Sequence, residues 1–438
     1  MFKTLRNAFK IKDIRKKLLF TFLMLIVIRI GSLLPIPGVD TESFSSAIRN
    51  FFDKTSGSST FLSAITGGSF ENMSIFALGI TPYITSSIIM QLLTIAIPKL
   101  EEMQKDGAEG RKKIAEITRS VTVALSVLEA IGMAITFNNQ GLLKSGSEWM
   151  EIMIIVVTLT AGSAFLMWIG ENITEKGIGN GISIILLINI ISSVPTDMGL
   201  LYATFIASET NIAKAILAGV IILAIIFAMV WFVCLLQGGE RKIPVQYSQK
   251  VQGNKMVGGN ASNIPLKVNT AGVIPVIFAS SILQAPVVIA NFVSSKGYEW
   301  TKYFSQQYWC NPKDFKYTIG MLAYIVLIIV FAYFYTSISF NPMEIANNMK
   351  KQAGFIPGIR PGKPTTEYLN NILNYIVFIG AVALVVVAVV PIVLSGVFGA
   401  SVSFLGTSII IVVSVILETI KKVESQMLVR NYKGFLNS

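Results

Sequence analysis

The chain has 438 residues, 53% of them hydrophobic and 14% charged, with a mean hydropathy of +0.65; a soluble core could not bury that much apolar surface, so lipid must cover the remainder. The net charge of +12 lies in alternate loops between apolar runs, which gives no reason to expect DNA as a partner. The complete lack of histidine excludes a Ser-His intramembrane protease, a histidine proton relay and a histidine metal site.

A helix needs roughly 20 apolar residues to cross the hydrocarbon layer. Ten segments are predicted to do so, at 18–34, 73–97, 117–137, 152–169, 178–194, 212–236, 271–293, 317–340, 372–394 and 402–420. Residues 1–34, basic and then apolar, imitate a signal peptide. Arg29 interrupts the apolar stretch, however, and Leu34-Pro35-Ile36-Pro37 follows it without a small-residue cleavage site, so it is read as the first span. Residues 60–70 are too short to span and, taken alone, read as an interfacial turn. The tails and even-numbered loops hold 27 of the 36 Lys and Arg, counting Arg119 with the loop before span 3, against 7 in the odd-numbered loops. By the positive-inside rule both termini are cytoplasmic, and the 294–316 loop is the one dissenting external segment.

Two cytoplasmic connections are long: 237–270, with Gly238-Gly239-Glu240-Arg241-Lys242, and 341–371, with Pro357-Gly358-Ile359-Arg360-Pro361-Gly362. Gly and Pro shape these as turns, and their basic residues either point to polyanionic or acidic partners or serve only to orient the chain.

The two halves carry matching pieces. Gly79-Ile80-Thr81-Pro82 in span 2 is echoed by Gly272-Val273-Ile274-Pro275 in span 7, and Gly181-Ile182-Ser183-Ile184-Ile185 by Gly406-Thr407-Ser408-Ile409-Ile410. Five spans per half is odd, so the second half would be inverted, and paired Gly/Pro-interrupted spans point to a pathway between such repeats. Pro82 and Pro275 favour central positions or mark simple packing kinks. The six aspartates, 13, 40, 53, 106, 197 and 314, are all placed in loops or tails, which leaves no intramembrane carboxylate pair for an aspartyl protease. Cys234 and Cys310 lie far apart and offer neither a disulfide framework nor metal-ligand spacing. Arg29 and Glu129 are the charges well inside spans, too few for an ion-coupled relay. No enzyme activity and no cofactor are expected.

Several stretches resemble the SecY family of bacterial Sec translocase channels. They are Ile28-Arg29-Ile30-Gly31-Ser32 with Pro35-Ile36-Pro37-Gly38, Ile75 to Ile80 with Pro82-Tyr83-Ile84, Gly177 to Ile184, Pro265 to Asn269 with Ala271 to Pro275, Phe340-Asn341-Pro342, and Phe355 to Gly362. The resemblance runs in order from about residue 10 to about residue 430. It implies an all-α membrane protein of ten helices in two inverted five-helix halves around an hourglass pore, with the halves at 18–194 and 212–420, an external connection at 195–211, and cytoplasmic tails at 1–17 and 421–438. It implies SecE and SecG subunits, a SecA motor or a ribosome as partner, and signal-bearing preproteins as cargo in the plasma membrane. Membrane segments would leave into lipid between spans 2 and 7.

Carried over by position, the resemblance places a pore ring at Ile80, Ile84, Ile182, Leu186, Ile277 and Ile411. Read without it, these are ordinary packing residues, although Ile80 and Ile84, like Ile182 and Leu186, share a helix face. The plug would be Thr60, Phe61, Leu62, Ser63, Ala64, Ile65, Thr66, Gly67, Gly68, Ser69 and Phe70. Glu129 needs a polar partner or must lose its charge, and a gate cluster with Thr85 and Gln284 is expected. Arg241, Lys242, Lys255 and Arg360 would form the docking surface, Lys255 standing beside Asn254 in a stretch less basic than the family leads one to expect. The rival reading, a secondary transporter of small solutes, requires a polar site where this chain has isoleucine and leucine.

Overall fold

A computed structural model describes residues 9–37, 66–139, 148–207, 212–247, 250–252, 255–257, 261–293, 299–310, 315–398 and 408–436. A helix falls on each of the ten predicted segments. They are α1 Lys12–Gly31, α2 Thr81–Ala96, α3 Ala108–Asn139, α4 Glu148–Lys176, α5 Gly181–Leu201, α6 Ile212–Gly238, α7 Ile274–Val293, α8 Ile319–Ser339, α9 Lys363–Phe398 and α10 Ile409–Leu436. Six of the described helices are long and apolar enough to qualify as spans by length and composition alone. A seventh, α2, qualifies only together with the short helix that follows it. At Ile97–Pro98, where proline disfavours helix in the residue before it, the chain turns by 101° into the short helix Pro98–Lys105.

The helices pack in the same order in each half. α2 lies against α3, α3 against α4 and α4 against α1; five positions on, α7 lies against α8, α8 against α9 and α9 against α6. The halves meet along α5 and α10, whereas α2 makes no extensive contact with α7. Leu217, Leu223, Phe227 and Trp231 of α6 are exposed, as are Phe22, Leu23 and Ile26 of α1, the surface expected of helices that face lipid.

Two expectations change. Helix α5 continues through Pro195 to Leu201 and runs into a π-helical turn at Tyr202–Ala207, so much of the 195–211 connection is helical. Asp197 is therefore not a loop residue: it sits in α5 and is only 5% exposed. Pro195 removes one backbone donor from the helix without ending it.

At the end of the bundle where the basic connections lie, the two long loops join in one sheet. β1 Glu240–Tyr247 pairs antiparallel with β4 Ala261–Lys267, from Glu240 opposite Lys267 to Gln246 opposite Ala261. The small pair β2 Lys250–Gln252 and β3 Lys255–Val257 lies between them in sequence. β5 Gly354–Phe355, from the second loop, pairs with the far edge of β1 at Gln246 and Tyr247. Pro244 is tolerated in β1 because that edge has no partner strand at its position. Ile243, Val245, Leu266, Met349, Ile356 and Leu369 give this platform a core of its own.

Candidate functional site

All six residues of the expected ring lie in one apolar cluster between the halves. Ile80, Leu186 and Ile411 are buried, and Ile84, Ile182 and Ile277 half-buried. Each comes from the start of its helix. Ile80 caps α2 and its carbonyl accepts from the Ile84 amide at 3.1 Å. Ile182 and Leu186 occupy the first two turns of α5, which starts here because the Asn180 side chain accepts from the Ile182 amide at 3.2 Å. Ile277 and Ile411 lie in the first turns of α7 and α10. Gly181 lets α5 approach α4 closely: a Cβ there would stand 1.8 Å from the Gly170 carbonyl oxygen. This arrangement presents hydrocarbon from four helices to one point.

A cavity of about 570 Å³ reaches this point, with Ile84, Ile182 and Ile277 in its wall. The rest of its wall is mixed: Ile88, Ile274 and Phe278 extend the apolar part, while Gln91, Thr174, Glu175 and Lys422 supply polar groups. Arg119 of α3 donates to Glu171 of α4 at 2.7 Å across it, a partly exposed ion pair that sequence reading missed because nothing local links positions 52 apart. Lys422 of α10 donates to the Gly179 carbonyl at 3.0 Å and so ties the two halves at the mouth.

On the opposite side of the ring, the described part of the expected plug is Thr66 to Phe70; Thr60 to Ile65 lie outside the described residues. The segment leading into α2 is held by a short pairing with the chain after α1, in which Ile36 donates to Met73 at 2.9 Å and Ile75 to Leu34 at 3.0 Å. Thr66 and Ser69 are buried there, and Phe70 packs against the apolar cluster that includes Ile36, Met73, Leu78 and Phe137.

Glu129 of α3 makes no hydrogen bond to Thr85 among the described residues, and the Gln284 side chain lies outside them. A hydrogen bond between the Ser86 and Thr122 hydroxyls, both buried, links α2 and α3. Of the docking residues, Arg241, Lys242 and Arg360 are exposed on the sheet platform and its neighbouring turn. Arg241 and Lys242 are consecutive in β1, so the pleat directs them to opposite faces. Lys255 lies on β3, its side chain outside the described residues.

Two five-helix halves of matching packing, with exposed apolar residues on the outside and an apolar cluster where they meet beside a cavity of mixed lining, define a polytopic membrane channel. The SecY family profile matches residues 74–420. The chain is 44% identical over 446 aligned residues to the protein translocase subunit SecY of Halalkalibacterium halodurans, with 100% of both chains covered. It is 42% identical to that of Bacillus subtilis over 445, again with full coverage. A solved structure described as that of a protein conducting channel aligns with a TM-score of 0.65 at 18% identity, over 94% of this chain and 92% of that one. Sec61 in a canine ribosome-channel complex aligns with 0.62 at 18%, over the same shares, and both show the same fold. The chain belongs to the SecY family: it is a protein-conducting channel, multi-pass in the bacterial plasma membrane, that moves unfolded secretory polypeptides across it.

Proposed function

We propose that the polypeptide crosses at Ile80, Ile84, Ile182, Leu186, Ile277 and Ile411, entering from the cavity beside them. The observation that carries this reading is the meeting of these six residues, drawn from both halves, in one apolar cluster at the wall of that cavity. Such a ring expels water and so blocks ions, yet offers no directional bond to detain a passing chain. Residues 60–70 cover the outer side as a plug. Membrane segments leave between α2 and α7, the helices with little mutual contact, past Thr85, Glu129 and Gln284.

The basic end and both termini are cytoplasmic, as the charge asymmetry indicates. The platform bearing Arg241, Lys242, Lys255 and Arg360 receives the SecA motor or the ribosome, and SecE and SecG complete the assembly. The chain performs no catalysis itself. The ribosome-bound neighbour supports the docking reading by analogy of fold.

The test is a preprotein stalled in transit by a folded C-terminal domain, with a photo-crosslinking residue placed at Ile84, Ile182 or Ile277. Crosslinks to the stalled chain are expected from all three. Crosslinks from lipid-facing Leu217 or Phe227 alone would overturn this route.

A further inference from the structure

Arg29 lies in the last turn of α1, within a span, where a guanidinium is costly unless partnered. Its Nη1 donates to the Ser192 hydroxyl of α5 at 2.9 Å and to the Gly67 carbonyl at 3.3 Å. Ser192 Oγ in turn stands 2.7 Å from the Asn189 carbonyl and 3.3 Å from that of Gly67. Gly67 has φ +64, and a Cβ on it would come within 2.7 Å of Ser192 Oγ and 2.8 Å of Asn189 Cα. Glycine is thus required twice, for the left-handed backbone and for the close approach. Ser69 Oγ, two residues on, is buried without a hydrogen-bond partner among the described residues, a cost to the seated state that the guanidinium contact offsets.

Resting on the reading of residues 60–70 as the outer plug, we propose that Arg29 is the positioning residue that holds the plug closed, by clamping the Gly67 backbone against Ser192. The contact is to a main-chain oxygen, so it fixes the position of the segment independently of its side chains. When the segment leaves, water of the outer funnel replaces the Gly67 carbonyl on the guanidinium. The latch therefore opens without stranding a charge in hydrocarbon.

The test is the resting ion conductance of the assembled channel complex in planar bilayers, for the full chain and for a chain lacking residues 60–70, each with and without Arg29→Leu. In the full chain Arg29→Leu raises the leak about three- to tenfold, the range expected for losing a charge-assisted hydrogen bond within a membrane. In the plug-deleted chain it adds nothing, and Arg29→Lys, which keeps one cationic donor, restores part of the seal. A full-chain Arg29→Leu leak equal to wild type, with the deletion leaky, overturns the latch and leaves the plug standing. A deletion no leakier than wild type overturns the plug reading itself. Should Arg29→Leu fail to assemble, Ser192→Ala removes the other wall of the clamp and must raise the leak in the full chain only; an equal rise in both chains would sink the proposal.

Discussion

Ser86 of α2 and Thr122 of α3 share a hydrogen bond inside the bundle, each hydroxyl being almost wholly shielded. Each is also in reach of its own helix, Ser86 of the Tyr83 carbonyl at 2.9 Å and Thr122 of the Thr118 carbonyl at 2.7 Å. One hydroxyl can thus donate across the interface while the other donates to backbone. The helix proposed to border the exit route is therefore tied to its neighbour in the same half, and α2 and α3 are coupled in any movement away from α7. Thr122→Val or Ser86→Ala breaks the tie at about 0.6 kcal/mol, the average for such bonds in membranes. Export of a reporter with a defective signal sequence should rise in either variant, and the double variant should exceed neither. Additive effects of the two substitutions would show that the hydroxyls act separately.

The apolar ring makes a second expectation. Replacing Ile84 and Ile277 by serine puts hydroxyls where the wall of the cavity meets the constriction, and hydroxyls retain water that isoleucine expels. Resting conductance in planar bilayers should rise well above wild type. Conductance unchanged in a correctly assembled Ile84→Ser, Ile277→Ser channel would remove these positions from the seal.

A third concerns the platform. Arginine presents a planar fork suited to carboxylate or phosphate, so Arg360→Glu both removes the recognition and reverses the charge. Translocation driven by the motor should fall while protein level and membrane insertion persist. Because the β1 pleat separates Arg241 from Lys242, Arg241→Glu and Lys242→Glu should differ in severity, and equal losses would point to a purely additive charge effect.

The fourth follows from Glu240 and Lys421, joined at 2.9 Å between the start of β1 and the middle of α10. The lysine's hydrogen bond and charge hold the Glu240 carboxyl below its ordinary range. A lowered folded value means that the stabilisation is complete above the unfolded pKa of about 4.3 and is lost as pH falls through the lowered value. For a pair this exposed it is worth at most about 1 kcal/mol. Hydrogen exchange of residues 240–247, corrected for intrinsic rates, should show wild type better protected than Glu240→Gln from pH 7 to pH 5. The two should converge below about pH 4. A gap that persists unchanged to pH 3 would mean that the carboxylate is not the source of the protection.

The ten helices were legible because apolar runs of this length have few alternatives, and the repeat because Gly and Pro recur at equivalent places. Asp197 misled because Pro195 and a following acid look like a loop, whereas the helix runs through the proline to Leu201. The sheet escaped notice although Ile243 and Val245 alternate with exposed residues, since Pro244 between them argues against a strand until its unpaired edge is seen. Ile80 with Ile84 and Ile182 with Leu186 could be paired by helical period. That these pairs meet Ile277 and Ile411 is a property of packing, which no local pattern carries, and at the level of sequence it came from resemblance. The clamp of Arg29 on Gly67, a contact to a main-chain atom that no side-chain pattern can encode, was illegible for the same reason.

The pairing of β5 with β1 fastens two loops about a hundred residues apart through backbone groups at Gln246, Tyr247, Gly354 and Phe355. Main-chain hydrogen bonds are largely indifferent to what the side chains are. Lys242, Pro244 and Gln246, on the exposed face of β1, can therefore be exchanged without dismantling the scaffold beneath them. A surface built this way can follow sequence drift in whatever docks on it while its shape stays fixed.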